Sequence, residues 1–140
     1  MKFFDAIHNR LVFVESSATA EFWDKQWGGD DLVKRMRSVR PGVYVHRFTK
    51  RFLPRGAKIL EGGCGEGQYV YALRQWGYDA HGLDFAKETV QKINEHFPEL
   101  PVVVGDVRHL PYTDNFFDGY WSFGVIEHFE DPLTEIKAML

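Results

Sequence analysis

Two kinds of periodicity divide this chain. From about residue 58 onward, short apolar runs alternate with longer stretches whose apolar positions recur every three or four residues. The runs lie at Ile59-Leu60, Ala80 to Leu83, Val102-Val103-Val104 and Tyr120-Trp121. The spacing predicts a helix from Gly67 to Trp76, with Tyr69, Leu73 and Trp76 on one face. It predicts another from Ala86 to Phe97, with Val90, Ile93 and Phe97 on one face. Strand and helix in alternation imply a parallel sheet with right-handed crossovers. A ligand then belongs beyond the carboxyl ends of the strands. Residues 1–57 read differently, as an α-helical N-terminal lobe. Ser16, Ser17 and Thr19 offer caps to a helix over Ala20 to Trp27, whose Phe22, Trp23 and Trp27 fall at helical spacing and which Gly28-Gly29 ends. Further helices are expected from Asp31 to Val39 and from Val43 to Phe52, the last stopping before Pro54.

The strand ends carry the chemistry. Lys58-Ile59-Leu60-Glu61 runs into Gly62-Gly63-Cys64-Gly65-Glu66-Gly67, a strand that closes on an acid and then a turn with glycine at every second position. Gly63, Gly65 and Gly67 reach positive φ at little cost and leave the backbone open to a ligand. The helix behind them offers free N–H groups and a positive dipole end. Glu61 repels phosphates, so a pyrophosphate fits poorly, whereas a cationic centre or a set of hydroxyls fits well. Cys64 suits the turn as a small residue. The next strand, Ala80-His81-Gly82-Leu83-Asp84-Phe85, again ends in an acid, 17 residues after Gly67. An acid so placed in a βαβ unit meets a ribose hydroxyl pair, and it can also cap the following helix. Val102-Val103-Val104-Gly105-Asp106-Val107 ends in a third acid, and Phe117-Asp118-Gly119-Tyr120-Trp121-Ser122-Phe123-Gly124-Val125-Ile126-Glu127-His128-Phe129 closes the series.

These four motifs, in this order over roughly residues 58–131, resemble those of class I S-adenosylmethionine-dependent methyltransferases of the small-molecule branch. The resemblance implies an α/β fold with a Rossmann-like parallel sheet, about four strands of the usual seven being present, with helices on both faces. It implies S-adenosylmethionine as cofactor. Glu61 would face its methionine end, Gly63 and Gly65 would line the backbone approach, Asp84 would hold the ribose, and Cys64, Gly67 and Phe85 would count among the cofactor-binding residues. Asp106 would take the exocyclic amine of adenine, the Val107 N–H its ring, and the Ser122 carbonyl the methionine amino group. His128 is the candidate base for an acceptor that must lose a proton, and Glu127 can orient an N-terminal segment. One of Arg35, Arg37, Tyr44 and Arg47 would close the site. Two departures stand out. Ser122-Phe123-Gly124-Val125 replaces the Asn/Asp-Pro-Pro-aromatic run of exocyclic-amine methylases, which argues against that chemistry on bases. Gly62 stands where a branched apolar residue is usual, which leaves the strand end looser by about 0.5–1 kcal/mol.

Composition adds limits. Apolar content of 44% and charged content of 26% are ordinary for a globular domain. No apolar run approaches the ~18 residues of a membrane span, and a single cysteine makes no internal disulfide, so a cytoplasmic location is expected. The net charge of −3 hides +6 over residues 1–58 and −9 over residues 59–140. Tyr44, Phe48 and Phe52, interleaved with the basic residues, are assigned to the core, and neither nucleic acid nor membrane is expected as a partner. No metal site is expected. The organisation is therefore a helical lobe or cap, 1–57, and a truncated cofactor-binding domain, 58–140. The C-terminal run after Asp131 reads as the start of the helix after strand four, so three strands of the resembled fold are missing. That strand would become an edge whose Phe117, Tyr120, Trp121 and Phe123 lose cover, and self-association through it is expected. Two other readings compete. A non-catalytic cofactor-binding or oligomerisation remnant is one. A NAD-dependent dehydrogenase is the other, but it wants Gly-x-Gly-x-x-Gly and meets Gln68 one place past the third glycine.

Overall fold

The computed structural model describes residues 1–7, 9–13, 18–27 and 31–139. Its centre is a four-stranded, all-parallel sheet built from β3 (Lys58–Gly62), β4 (Asp79–Asp84), β5 (Val102–Val104) and β6 (Gly119–Ser122), in the order β5-β4-β3-β6. The chain starts at β3, steps outward to β4 and β5, then returns to the other side of β3 as β6. Strand order therefore reverses at β3, and a crevice opens at such a point beyond the strand ends. Helices α4 (Gln68–Gln75) and α5 (Lys87–His96) make the crossovers. The element order agrees with the periodicity of the sequence.

Consecutive strand residues point to opposite faces, and the two faces are filled differently. Ile59, Ala80 and Val102 belong to one cluster with Val70 and Leu73 of α4, Val90 and Ile93 of α5, and Phe97 just past its end. Leu60 and Leu83 belong to the other, with Val107, and with Leu110, Tyr112, Phe117 and Tyr120 packed against it. On α4 the buried residues are Val70, Ala72 and Leu73, while Tyr69 and Trp76 lie at the half-buried margins. The inward face is thus rotated from the expected one, because the aliphatic pair fits the sheet more closely.

The lobe differs from expectation at its start. Lys2–Asp5 (β1) and Arg10–Phe13 (β2) pair as an antiparallel hairpin where helix was expected. Asn9 takes positive φ in its turn, a conformation asparagine tolerates. The three helices that follow are α1 (Ala20–Gln26), α2 (Leu32–Met36) and α3 (Tyr44–Phe52), close to the expected positions. Thr19 caps α1 by accepting the Phe22 N–H. The other caps read for that helix, Ser16-Ser17 and Gly28-Gly29, lie outside the described residues.

The core assignment of Tyr44, Phe48 and Phe52 needs correction. They are 50%, 51% and 67% exposed, and α3 buries Val45 and Thr49 instead. The inward position of Thr49 has a partner to explain it, since its Oγ1 accepts the Trp121 indole N–H at 3.0 Å. That contact also brings α3 over β6. Phe117, Tyr120, Trp121 and Phe123 are all half-buried, and β6 is half-buried along its length where β3 is buried from Ile59 to Gly62. Among the described residues β6 pairs with β3 alone.

Candidate cofactor site

The turn between β3 and α4 is fastened to the neighbouring strand through its backbone. The N–H groups of Gly63 and Cys64 both donate to the Leu83 carbonyl, at 2.8 and 3.1 Å. The next donor, the Gly65 N–H, reaches Asp84 Oδ2 at 2.8 Å. Gly63, Gly65 and Gly67 all have φ between 51° and 74°, the left-handed region that glycine occupies freely. Space is as demanding as conformation. A Cβ on Gly63 would lie 2.3 Å from Val125 Cγ2, and one on Gly65 would lie 3.2 Å from the Trp27 ring.

Asp84 does two jobs at the end of β4. Its second oxygen accepts the Ala86 N–H at 2.9 Å, at the start of α5. Burial raises its pKa, and the N–H donors of Ala86 and Gly65 oppose that rise. The helix it serves has a second outside acceptor. Asp24 of α1 takes both the backbone N–H and the hydroxyl of Thr89, at 2.8 and 2.9 Å. Two carboxylates from other elements therefore satisfy two of the orphan donors at the start of α5, whose own cap, Ala86, has no side-chain acceptor.

A cavity of about 560 Å³ opens over these strand ends. Eight of the residues singled out in the sequence line it: Gly63, Gly65, Asp84, Phe85, Asp106, Val107, Glu127 and His128. Four others lie outside its wall. Gly67 caps α4 in the left-handed conformation. Cys64 is buried, and burial pushes its thiol pKa well up, so it is a filler and no nucleophile. Ser122 ends β6 with its Oγ buried and without a hydrogen-bond partner among the described residues. Glu61, 3% exposed, ends β3 with its Oε2 in the same condition, and burial pushes its pKa well up, with the Asp84 charge adding to the rise.

Position 62 is not loose, as the sequence had suggested. A Cβ there would sit 1.9 Å from the Tyr120 hydroxyl and 3.0 Å from Val107 Cγ1. The tyrosine from β6 fills the space that a branched side chain at position 62 would take. Its own pKa is pushed up to about 12 by burial.

The lobe supplies the lining that sequence reasoning missed. Trp23 and Trp27 stack on each other, 5.8 Å apart, and both line the cavity. Trp23 also meets the His128 ring edge-on at 5.2 Å. Helical spacing had marked both tryptophans, but nothing local says that their helix lies over a turn forty residues away. Of the four candidates for closing the site, Arg35 is committed to Glu66 of the glycine turn, through Nε and Nη2 at 2.6 Å each. Tyr44 packs edge-on against Tyr69 and Phe123. Arg47 shares a separate small cleft with Phe48 and Arg51, and Arg37 does not line the cavity. Arg10 of β2 donates to the carbonyls of Phe129 and Glu130, which ties the hairpin to the segment after His128. Arg108 lines the cavity too, paired with Asp106.

The family model for the methyltransferase domain matches residues 60–140. The chain belongs to the class I S-adenosylmethionine-dependent methyltransferases. Among curated members of this group, it is 27% identical over 136 residues to a ubiquinone biosynthesis O-methyltransferase of Pectobacterium carotovorum, covering 94% of this chain and 55% of the relative. It is 31% identical over 94 residues to a demethylmenaquinone methyltransferase of Bacillus licheniformis, covering 62% of this chain and 40% of the relative. A TehB-like methyltransferase of Corynebacterium glutamicum superposes with a TM-score of 0.56 at 28% identity, over 86% of this chain and 66% of that one. The chain spans about half the length of the curated relatives it matches. Methyltransferases of this class use S-adenosylmethionine, and the residues present fit it. The glycine turn leaves a backbone cradle that any Cβ would fill, and Glu61 offers a buried acceptor with an unused oxygen. Among the described residues, no helix is long and apolar enough to cross a membrane.

Proposed function

We propose that this chain carries the cofactor site of an enzyme that moves the methyl group of S-adenosylmethionine to a small-molecule acceptor. One observation carries the reading: the Gly65 N–H on Asp84, which fixes the glycine turn and the second acid together beside the cavity. When bound, the cofactor supplies an electrophilic methyl group on a sulfonium. Gly63 and Gly65 give its methionine arm backbone to lie against, with Glu61 and Ser122 at the strand ends behind. Asp84 and Phe85 hold the ribose, and Asp106 with the Val107 N–H holds the adenine. Each carboxylate oxygen has two lone pairs, so Asp84 can serve the Gly65 and Ala86 N–H groups and still accept from a hydroxyl.

Trp23 and Trp27 exclude water from this face and suit a flat, apolar acceptor. The name of the curated O-methyltransferase relatives points to oxygen as the accepting atom. His128 takes the hydroxyl proton, its ring steadied by the edge of Trp23. Residues 1–57 serve as the cap and 58–140 as the cofactor domain. We place the protein in the cytoplasm, in keeping with a single, buried, unpaired cysteine. Calorimetric titration with S-adenosylhomocysteine, with NAD as control, tests the reading. Saturable binding of the former alone supports it. Binding of NAD alone sinks it, and binding of neither leaves ancestry without a working site.

A further inference from the structure

Asp106, the acid read above as the acceptor of the adenine amine, is already engaged. Arg108 grips it with Nη2 on Oδ2 at 2.6 Å and with Nε on Oδ1 and Oδ2 at 3.0 and 3.1 Å. The backbone N–H of Arg108 adds a fourth contact, to Oδ1 at 2.9 Å. A carboxylate has about four lone-pair positions, and these contacts use them. His109 stands further off, with Nδ1 3.9 Å from Oδ2. The guanidinium has a second anchor, the ring of Phe129, 5.7 Å below it. Arg108, Asp106 and Phe129 all line the cavity.

We propose that Arg108 is a latch on the adenine end of the site, which sets cofactor affinity by competing with the incoming amine for Asp106. The inference rests on the reading of Asp106 as the adenine acid. Two states differ by one swing of a side chain. In the closed state, seen here, the guanidinium covers both carboxylate oxygens. In the open state it leaves at least one oxygen to the amine, while the backbone N–H of Arg108 keeps Asp106 oriented. The exchange replaces a charged, forked donor by a neutral one, so the latch works against binding. Both side chains are partly exposed, 45% for Arg108 and 36% for Asp106, so the pair opens at modest cost. A ligand must bring differential affinity to shift such an equilibrium, and the amine at Asp106 is where it does so.

The test is calorimetric titration of the whole chain and of Arg108→Gln with S-adenosylhomocysteine, at low and high salt. The substitution removes the charge and the fork but leaves the backbone N–H donor in place. Arg108→Gln is expected to bind about three- to fivefold more tightly, the range of an exposed ion pair. The whole chain should gain affinity as salt screens the pair, and the variant should not. Equal or weaker binding by the variant, with the unmodified chain binding normally, overturns the latch and leaves the cofactor reading standing. Binding by neither protein, when both melt cooperatively at similar temperatures, overturns the cofactor reading and the latch with it.

Discussion

The glycine turn is held from two sides, and the two sides use different forces. On the sheet side the contacts are backbone donors from Gly63, Cys64 and Gly65 on the Leu83 carbonyl and the Asp84 carboxylate, short and buried. On the lobe side the contacts are long side chains: Arg35 on Glu66 and Trp27 against Gly65. The two contacts to the Leu83 carbonyl are wholly backbone and no side-chain substitution removes them. Side-chain contacts can be removed singly, and each carries its own rotamer entropy. The sheet side should therefore reject any added atom, whereas the lobe side should fail by loosening.

The hardest blow to the sheet side is a side chain at position 62. Gly62→Val places atoms where the Tyr120 hydroxyl now lies, in a cluster with no slack. We expect a loss of about 3 kcal/mol, at the upper end for overpacking. Adding Tyr120→Ala should restore part of it, with a coupling of about 1–3 kcal/mol between the two positions. Urea denaturation of the two single variants and the double measures this directly. Additive losses would mean that the tyrosine yields freely and that the strand end is as loose as its glycine suggested.

A cut on the lobe side should cost less stability and more order. Arg35→Ala leaves the Glu66 carboxylate, 4% exposed, without its forked donor. Removing one partner of a buried pair is expensive, but Arg35 is 39% exposed, so we expect about 1–3 kcal/mol. The sheet should keep its melting cooperativity, while proteolysis and tryptophan emission report release of α1 and α2. If the sheet unfolds together with the lobe, the two sides are one cooperative unit and the distinction fails.

The same division explains what could be read from the sequence. The strands, α4, α5, the glycine turn and the acids Asp84 and Asp106 follow from local period and position, whereas Phe85, Val107, Glu127 and His128 came with the family resemblance. The hairpin escaped because Lys2–Asp5 and Arg10–Phe13 are four residues each, without alternation, and the exposed Phe3, Phe4 and Leu11 bury little. Phe48 and Phe52 were misplaced because hydrophobicity alone favours them over Thr49, whose buried hydroxyl donates to the Val45 carbonyl and accepts from the Trp121 indole. Arg108 carried no signal, since a charged residue two places after an acid is ordinary in a loop. Contacts such as Asp24 with Thr89 join positions 65 apart in the chain, and no local pattern encodes them.

The mildest test concerns Glu61, the buried acid on the sheet side, whose Oε2 has no hydrogen-bond partner among the described residues and whose one opposing influence is the Val70 backbone hydrogen bond. Burial raises the pKa of Glu61 well above its ordinary 4.5. The folded state then binds this proton more tightly than the unfolded chain does. Between 4.5 and the raised value the folded chain carries more protons, so stability is greatest on the acid side and falls as pH rises through that window. Asp84, also raised by burial, has the same sign. Asp106, lowered first by its hydrogen bonds to Arg108, has the opposite sign, and its contribution disappears only as pH falls below the usual carboxylate range. Glu61→Gln keeps the shape and removes the charge. It should stabilise the unliganded chain at neutral pH by about 1 kcal/mol, the lower end for an unsatisfied buried group, with little gain in acid. Its affinity for S-adenosylhomocysteine should fall at the same time, on the proposal that Glu61 faces the methionine end of the cofactor. Thermal melts from acid to neutral pH, paired with the titration, check both halves. A variant that is less stable at neutral pH would show that Glu61 has found a partner in solution, and that the sheet side is not held by its backbone alone.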